Sequence, residues 1–211
     1  LAGIVFLFGL LLLGRLKLPN QWRFVVLQAL CLFSFNFICF YQATSVMHSG
    51  LVSVIFSLAT IFNAINARIF FGDKIRPQTI IAGLIGATGL VLLFWRDLTI
   101  NYNTDVIQGV GWATTGTLFF SIGNMMSRKN SMYGVNPITA NSWGMCIGAI
   151  ILVTIAGVTG SNFAIPNSPT YIWALIYLAI IGSVVGFSTY LMMVARIGSD
   201  RAAYTTVLFP V

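Results

Sequence analysis

Residues 24–44 read FVVLQALCLFSFNFICFYQAT, and residues 171–195 read YIWALIYLAIIGSVVGFSTYLMMVA. Neither stretch carries a charged side chain, and as a helix each is long enough to cross roughly 30 Å of hydrocarbon. Four stretches of about this length lack any acidic residue, and short loops join them. The solvent is therefore lipid. The chain reads as an all-α, polytopic membrane helix bundle, and its function belongs to the few polar side chains that face other helices.

Composition agrees. The chain is 58% apolar and 7% charged, where soluble domains carry about a quarter charged residues. It has no glutamate, and its aspartates are Asp73, Asp97, Asp105 and Asp200. The net charge of +7 falls in loops, which is a topology signal rather than a nucleic-acid footprint. Cys31, Cys39 and Cys146 lie within apolar spans without ligand-like spacing, so neither a disulfide nor a metal site is expected. No cofactor is expected either.

Hydropathy and helix breakers give eight spans: Leu1–Leu13, Phe24–Thr44, Leu51–Phe71, Thr79–Trp95, Val106–Ser127, Ile138–Val158, Tyr171–Ala195 and Ala202–Val211. Pro19, Pro77, Pro137 and Pro169 stand at or just before span starts, where a missing N–H costs nothing. The loops alternate in charge. Arg15, Lys17, Arg23, Lys74, Arg76, Arg128, Lys129, Arg196 and Arg201 share one side, which Arg68 can reach by snorkelling, and Arg96 alone marks the other. The basic side is thus expected to be cytoplasmic. The first span then runs inward, which implies an earlier helix before Leu1.

Sliding the chain on itself by 150 residues aligns Pro19 with Pro169, Phe37 with Phe187, Phe40 with Tyr190, Ser49 with Ser199 and Leu58 with Leu208. The shift equals five helices, an odd number, so the two copies run oppositely through the membrane. The expected organisation is two inverted five-helix repeats, residues 1–98 and 104–211, with eight of ten spans visible. Secondary transporters place a substrate site between such repeats.

The runs YQATSVMHSGLVSVIFSLATIFNAINARIFFGDKI (41–75) and IIAGLIGATGLVLLFW (80–95) resemble the first repeat of the EamA family, in the drug/metabolite transporter superfamily. STYLMMVARIGSDRAAYTTVLFPV (188–211) resembles the matching part of its second repeat. The resemblance spans the chain, from the family's second helix to its ninth, with the end of the ninth and the tenth outside it. Two positions depart: Thr60 stands where the family often has proline, and Asp73 where it often has glutamate. The resemblance implies export of amino acids or other small metabolites across the bacterial inner membrane. A non-coupled channel or facilitator, or a structural membrane subunit, is the alternative reading. A charge ring or filter loop would mark a channel, and clustered His, Asp or Glu an enzyme. The sequence shows neither, so catalysis is not expected.

Helical spacing sorts the polar groups. Thr114, Thr117, Ser121 and Asn124 form one stripe, either cavity lining or interhelical glue. Ser53, Ser57, Thr60, Ala64 and Ala67 form a small-residue packing stripe, and Asn63 and Asn66 lie off it, needing partners of their own. Gly182 and Gly186 suit packing. Phe33, Asn36, Phe37 and Phe40 share a face that the repeat superposes on Ser183, Gly186, Phe187 and Tyr190. Two aromatic faces with polar handles suit a flat organic substrate, against ordinary lipid-facing phenylalanine. The expected cavity residues are Asn36, Thr117, Ser121, Asn124, Ser183, Tyr190 and Tyr204. The expected partners are a small molecule and the bilayer. No membrane-embedded proton carrier is expected, since the aspartates map to loops or helix ends and His48 to a turn.

Overall fold

The computed structural model describes residues 1–14, 16–99, 104–160, 168–202 and 205. Among them every regular element is helical: α1 (Ala2–Leu12), α2 (Trp22–Val46), α3 (Ser49–Phe71), α4 (Pro77–Thr99), α5 (Thr104–Met132), α6 (Pro137–Val158), α7 (Pro169–Ile197) and the short α8 (Ser199–Ala202). Helices α2, α3, α6 and α7 are long and apolar enough to cross a membrane. Large side chains such as Ile4, Leu12, Ile150, Val153 and Trp173 point outward, exposed. Outward apolar surface over helices whose backbone bonds are internal is what hydrocarbon requires.

The helices begin and end for local reasons. Pro77, Pro137 and Pro169 open α4, α6 and α7, and Asn136 caps α6 by accepting from the Ile138 N–H at 2.9 Å. Helix α5 runs five residues past the expected end at Ser127. Its last turns stay helical because Arg128 pairs with Asp73 just past α3 and Asn130 with Gln28 of α2, and Gly134, at φ 77°, then closes it. Val135 N–H bonds Asn130 C=O at 2.9 Å across that glycine, a Schellman-type stop. Helix α3 breaks briefly at Ser57–Leu58, where the Ser57 hydroxyl turns back to the Val54 carbonyl at 2.6 Å. The expected eighth span, Ala202–Val211, lies largely outside the described residues.

Helix α5 is the hub, touching α2, α3, α6, α7 and α8. Glycines let it approach α2 closely. A Cβ at Gly109, Gly116 or Gly123 would come within 2.7, 3.1 and 2.5 Å of Met47, Cys39 and Leu32. These positions recur every seven residues and make one small-residue seam, the standard device for packing helices in lipid. Helix α6 carries a second seam: Gly144 and Gly148 receive Phe33 of α2. Helix α4 packs on α3 through Gly83 and Gly86, while a Cβ at Gly89 would meet nothing within 4 Å.

Two helices widen midway. Residues Cys31–Phe35 of α2 and Leu178–Phe187 of α7 take the π-helical hydrogen-bond pattern. In each a serine hydroxyl donates to the carbonyl five residues back, Ser34 to Ala29 at 3.1 Å and Ser183 to Leu178 at 3.0 Å. π segments of this kind collect at functional sites; Leu178–Phe187 lends residues to the cavity described below, and Cys31–Phe35 ends one residue before Asn36, which also lines it.

Candidate substrate cavity

A cavity of about 810 Å³ lies among α2, α3, α5 and α7, within the size range of small-molecule sites. One wall is a relay of rings across four helices. Phe40 meets Phe56 edge-on at 5.3 Å, Phe56 meets Phe120 at 4.8 Å, and Phe120 leans on Tyr190 at 5.5 Å. Phe37 and Phe187 sit 6.5 Å apart, and Phe187 also meets Phe33 at 5.2 Å. Edge-to-face pairs at these separations hold one another in place. Helix α7 contributes Gly182 and Gly186, which line the cavity instead of packing on a neighbouring helix.

Beneath Tyr190 the bundle changes character. The Asn124 amide donates to the Tyr190 hydroxyl at 2.8 Å and to Asn63 Oδ1 at 3.3 Å. Asn66 donates to the Ser121 hydroxyl at 2.8 Å. Asn63, Asn124 and Ser121 are fully buried. Asn63 and Asn66 therefore find the partners their spacing demanded, on α5. A second pair, Asn130 to Gln28 at 2.9 Å, lies further along toward the basic loops.

An ion pair closes this end. Arg128 of α5 grips both carboxylate oxygens of Asp73, just past α3, and lies 4.2 Å over the Phe71 ring. Lys129 lies 5.3 Å from the Phe24 ring and 5.7 Å from that of Phe70. Along α3 and α5 the order is thus cavity, asparagine layer, ion pair. The bridge is part exposed, with side-chain exposures of 24% and 39%, so its contribution is modest, about 1 kcal/mol or less after screening. Arg128→Asp is expected to lower the apparent melting temperature in detergent, and adding Asp73→Arg to restore most of the loss. Failure of the swapped pair to rescue would mean the contact is incidental.

The expected site residues separate into groups. Asn36 and Tyr190 line the cavity. Ser121 and Asn124 stand one layer behind the wall in the asparagine network, and Thr117 is buried with its hydroxyl turned to the Ala113 carbonyl at 2.8 Å. Helix α5 lends the cavity Phe120 rather than its polar stripe. Ser183 is half-buried, bonded within its own helix. Tyr204 lies outside the described residues. Phe56 and Phe120 were missed, because nothing in spacing separates a cavity phenylalanine from a lipid-facing one. No group of three or more His, Cys, Asp or Glu able to hold a metal occurs among the described residues.

The EamA-like transporter family model matches residues 1–95 and again 107–211. The uncharacterized transporter YyaM of Bacillus subtilis is 24% identical over 196 residues, covering 91% of this chain and 63% of that protein. The uncharacterized inner membrane transporter YicL of Salmonella typhimurium is 33% identical over 84 residues, 40% of this chain and 27% of that protein. The chain thus spans less than two thirds of these relatives' length. No solved structure matches it.

Proposed function

Because the chain belongs to the EamA-like transporter family of membrane transporters, we propose that it forms most of a secondary transporter working by alternating access. Its repeats are residues 1–98 and 104–211, related by inversion across the membrane, with ten spans in the whole protein. The substrate is a small organic metabolite; amino acids and related compounds are what the family resemblance implies, as is export. The membrane is the bacterial inner membrane, where the relative YicL is named as residing, and the basic loops face the cytoplasm.

The observation that carries this reading is the barrier between the cavity and the basic loops along α3 and α5. The cavity reaches Val52 and Ser53 near the start of α3, whereas the asparagine layer and the Arg128–Asp73 bridge stand between it and the basic loops on those two helices. A second cavity of about 1030 Å³, lined by Lys17, Asn20, Asn136 and Ser188, opens on the basic side among α1, α6 and α7. Separate cavities on the two sides of a polar barrier suit a carrier that exposes its site to one side at a time. The repeat draws support from the two-part family match, and from the π segments. Cys31–Phe35 shifted by 150 residues falls at 181–185, inside Leu178–Phe187. Asn36 and Tyr190 are its substrate contacts, with Asn124 and Ser121 holding the floor. Thr117, Ser183 and Tyr204 complete the proposed set, Tyr204 by sequence alone.

Asp73 is ion-paired beyond the end of α3 and away from the cavity, so it couples no proton in this reading. Full-length protein in proteoliposomes is expected to show saturable counterflow of its substrate, and Asp73→Asn to leave the response to an imposed pH gradient unchanged. Non-saturating flux would favour a channel, and no flux of any candidate solute a structural subunit. Lost gradient dependence with retained counterflow in Asp73→Asn would make Asp73 the coupling residue.

A further inference from the structure

The cavity of about 1030 Å³ on the basic side is built differently from the aromatic one. Its polar wall gathers near the loops. Lys17 lines it from the strap between α1 and α2, and the Trp143 indole N–H fastens that strap to α6 by donating to the Lys17 carbonyl at 2.9 Å. Asn136 and Thr139 line it from the N-terminus of α6, where a helix presents its positive end. Ser188 lines it from α7, and no Asp or Glu is among the described lining residues. The donors here are unspent. Thr139 is 6% exposed, yet its hydroxyl keeps accessible surface and has no hydrogen-bond partner among the described residues. The Ser188 hydroxyl accepts from Asn141 at 3.0 Å and keeps its own proton to give. Asn136 uses its Oδ1 on the Ile138 N–H and keeps its amide protons. Lys17 has no carboxylate partner among the described residues.

Free donors, one of them cationic, with no carboxylate among them suit an anion. Away from the loops the wall turns apolar. Leu10 and Phe6 follow one and two turns further along α1, and Val184 stands one turn beyond Ser188 on α7. The mouth is apolar as well, since the lining residues Leu13, Leu18 and Val185 are 69%, 71% and 51% exposed. We infer that this cavity holds an anionic phospholipid from the leaflet beside the basic loops, its phosphodiester at Lys17, Thr139 and Ser188 and an acyl chain along Leu10, Phe6 and Val184. Basic pockets between transmembrane helices at this level take anionic headgroups. A water-borne anion gains nothing from the apolar cleft, and a zwitterionic lipid brings its own cation beside Lys17 with no carboxylate to meet it. The volume lies at the top of the roughly 300–1,000 Å³ typical of small-molecule sites, room for a headgroup, its glycerol and the start of a chain.

The test uses purified full-length protein in a neutral detergent, titrated with dioleoyl phosphatidylglycerol or dioleoyl phosphatidylcholine and followed by native mass spectrometry. One phosphatidylglycerol is expected to bind at least about fivefold tighter than phosphatidylcholine, the margin that one basic residue supplies near a membrane. Lys17→Gln is expected to bring the two lipids within about twofold of each other. Lys74→Gln, a basic-loop substitution outside the cavity lining, should keep the preference. Thr139→Val should weaken phosphatidylglycerol at least about threefold. Glycerol phosphate in large excess should not displace the lipid. Equal binding of the two lipids would overturn the inference, as would a preference that survives Lys17→Gln or falls equally in Lys74→Gln. Displacement by glycerol phosphate would make a water-borne anion the occupant instead. Absence of bound lipid would give the cavity to chain outside residues 1–211 and overturn the inference too. None of these results touches counterflow, so the lipid site and the transporter reading are judged separately.

Discussion

Gly148→Val is expected to leave little monodisperse protein after detergent extraction, while Gly157→Ala, nine residues along the same helix, behaves like the parent or better. A Cβ at Gly148 would stand 2.5 Å from Phe33 Cβ and 2.8 Å from the Phe33 carbonyl oxygen. One of those atoms is backbone and the other is fixed to it, so no flexible tip can swing away. The backbone of α2 is itself constrained there. Phe33 lies in the π segment, and the neighbouring Ser34 hydroxyl reaches the Gly148 carbonyl at 3.4 Å. Phe33 also meets Phe187 of α7, so displacing it disturbs the cavity wall. The cost should reach the upper end of the roughly 1–3 kcal/mol typical of overpacking. At Gly157 a Cβ would meet nothing within 4 Å, and alanine gains up to about 1 kcal/mol in helix propensity. Fluorescence-detected size exclusion after a temperature ramp measures both. An apparent melting temperature for Gly148→Val close to the parent's would show that α2 and α6 are not clamped at this point.

The apolar runs were legible in the sequence because length and lack of charge are local properties, and so were the starts that proline marks. What a helix face meets is not local. Spacing put Thr117, Ser121 and Asn124 on one side of α5, but that side could equally have faced a cavity or another polar helix. The answer lay on α3, where Asn63 and Asn66 carry the complementary groups. Their need for partners was readable, yet the partners stand 55 and 61 residues away. Glycine misled in both directions. Gly182 and Gly186 looked like packing and instead open the cavity, while the Gly109, Gly116 and Gly123 seam drew no notice amid apolar sequence. The π segments had no compositional signal, since they arise from a shifted hydrogen-bond register. Phe33 fell between the two alternatives for its face, as it is buried against α6 and Phe187 rather than in lipid.

The largest effect on transport is expected from the asparagine layer that supports the cavity floor. Asn124→Leu removes a donor that serves the Tyr190 hydroxyl and Asn63 Oδ1 together. Both acceptors are left in the interior, out of reach of bulk water. Interhelical hydrogen bonds in membranes average about 0.6 kcal/mol and reach about 1.7, so losing two shifts stability by roughly 1–3 kcal/mol. Insertion is unharmed, because leucine is the more hydrophobic residue. Transport should suffer more than stability does. Tyr190 is the last ring of the relay through Phe120 and Phe56, and a freed hydroxyl lets it tilt into the cavity. A loss of at least tenfold in initial counterflow corresponds to only about 1.4 kcal/mol, well within what a misplaced floor can cost. Tyr190→Phe cuts one of the same two bonds from the other side and should lose less. If the two residues act as a unit, the double variant is no worse than Asn124→Leu alone, in melting temperature and in counterflow, because the shared bond cannot be lost twice. Losses that add would mean that Asn124 and Tyr190 act separately, and full counterflow in Asn124→Leu would remove the asparagine layer from the transport site.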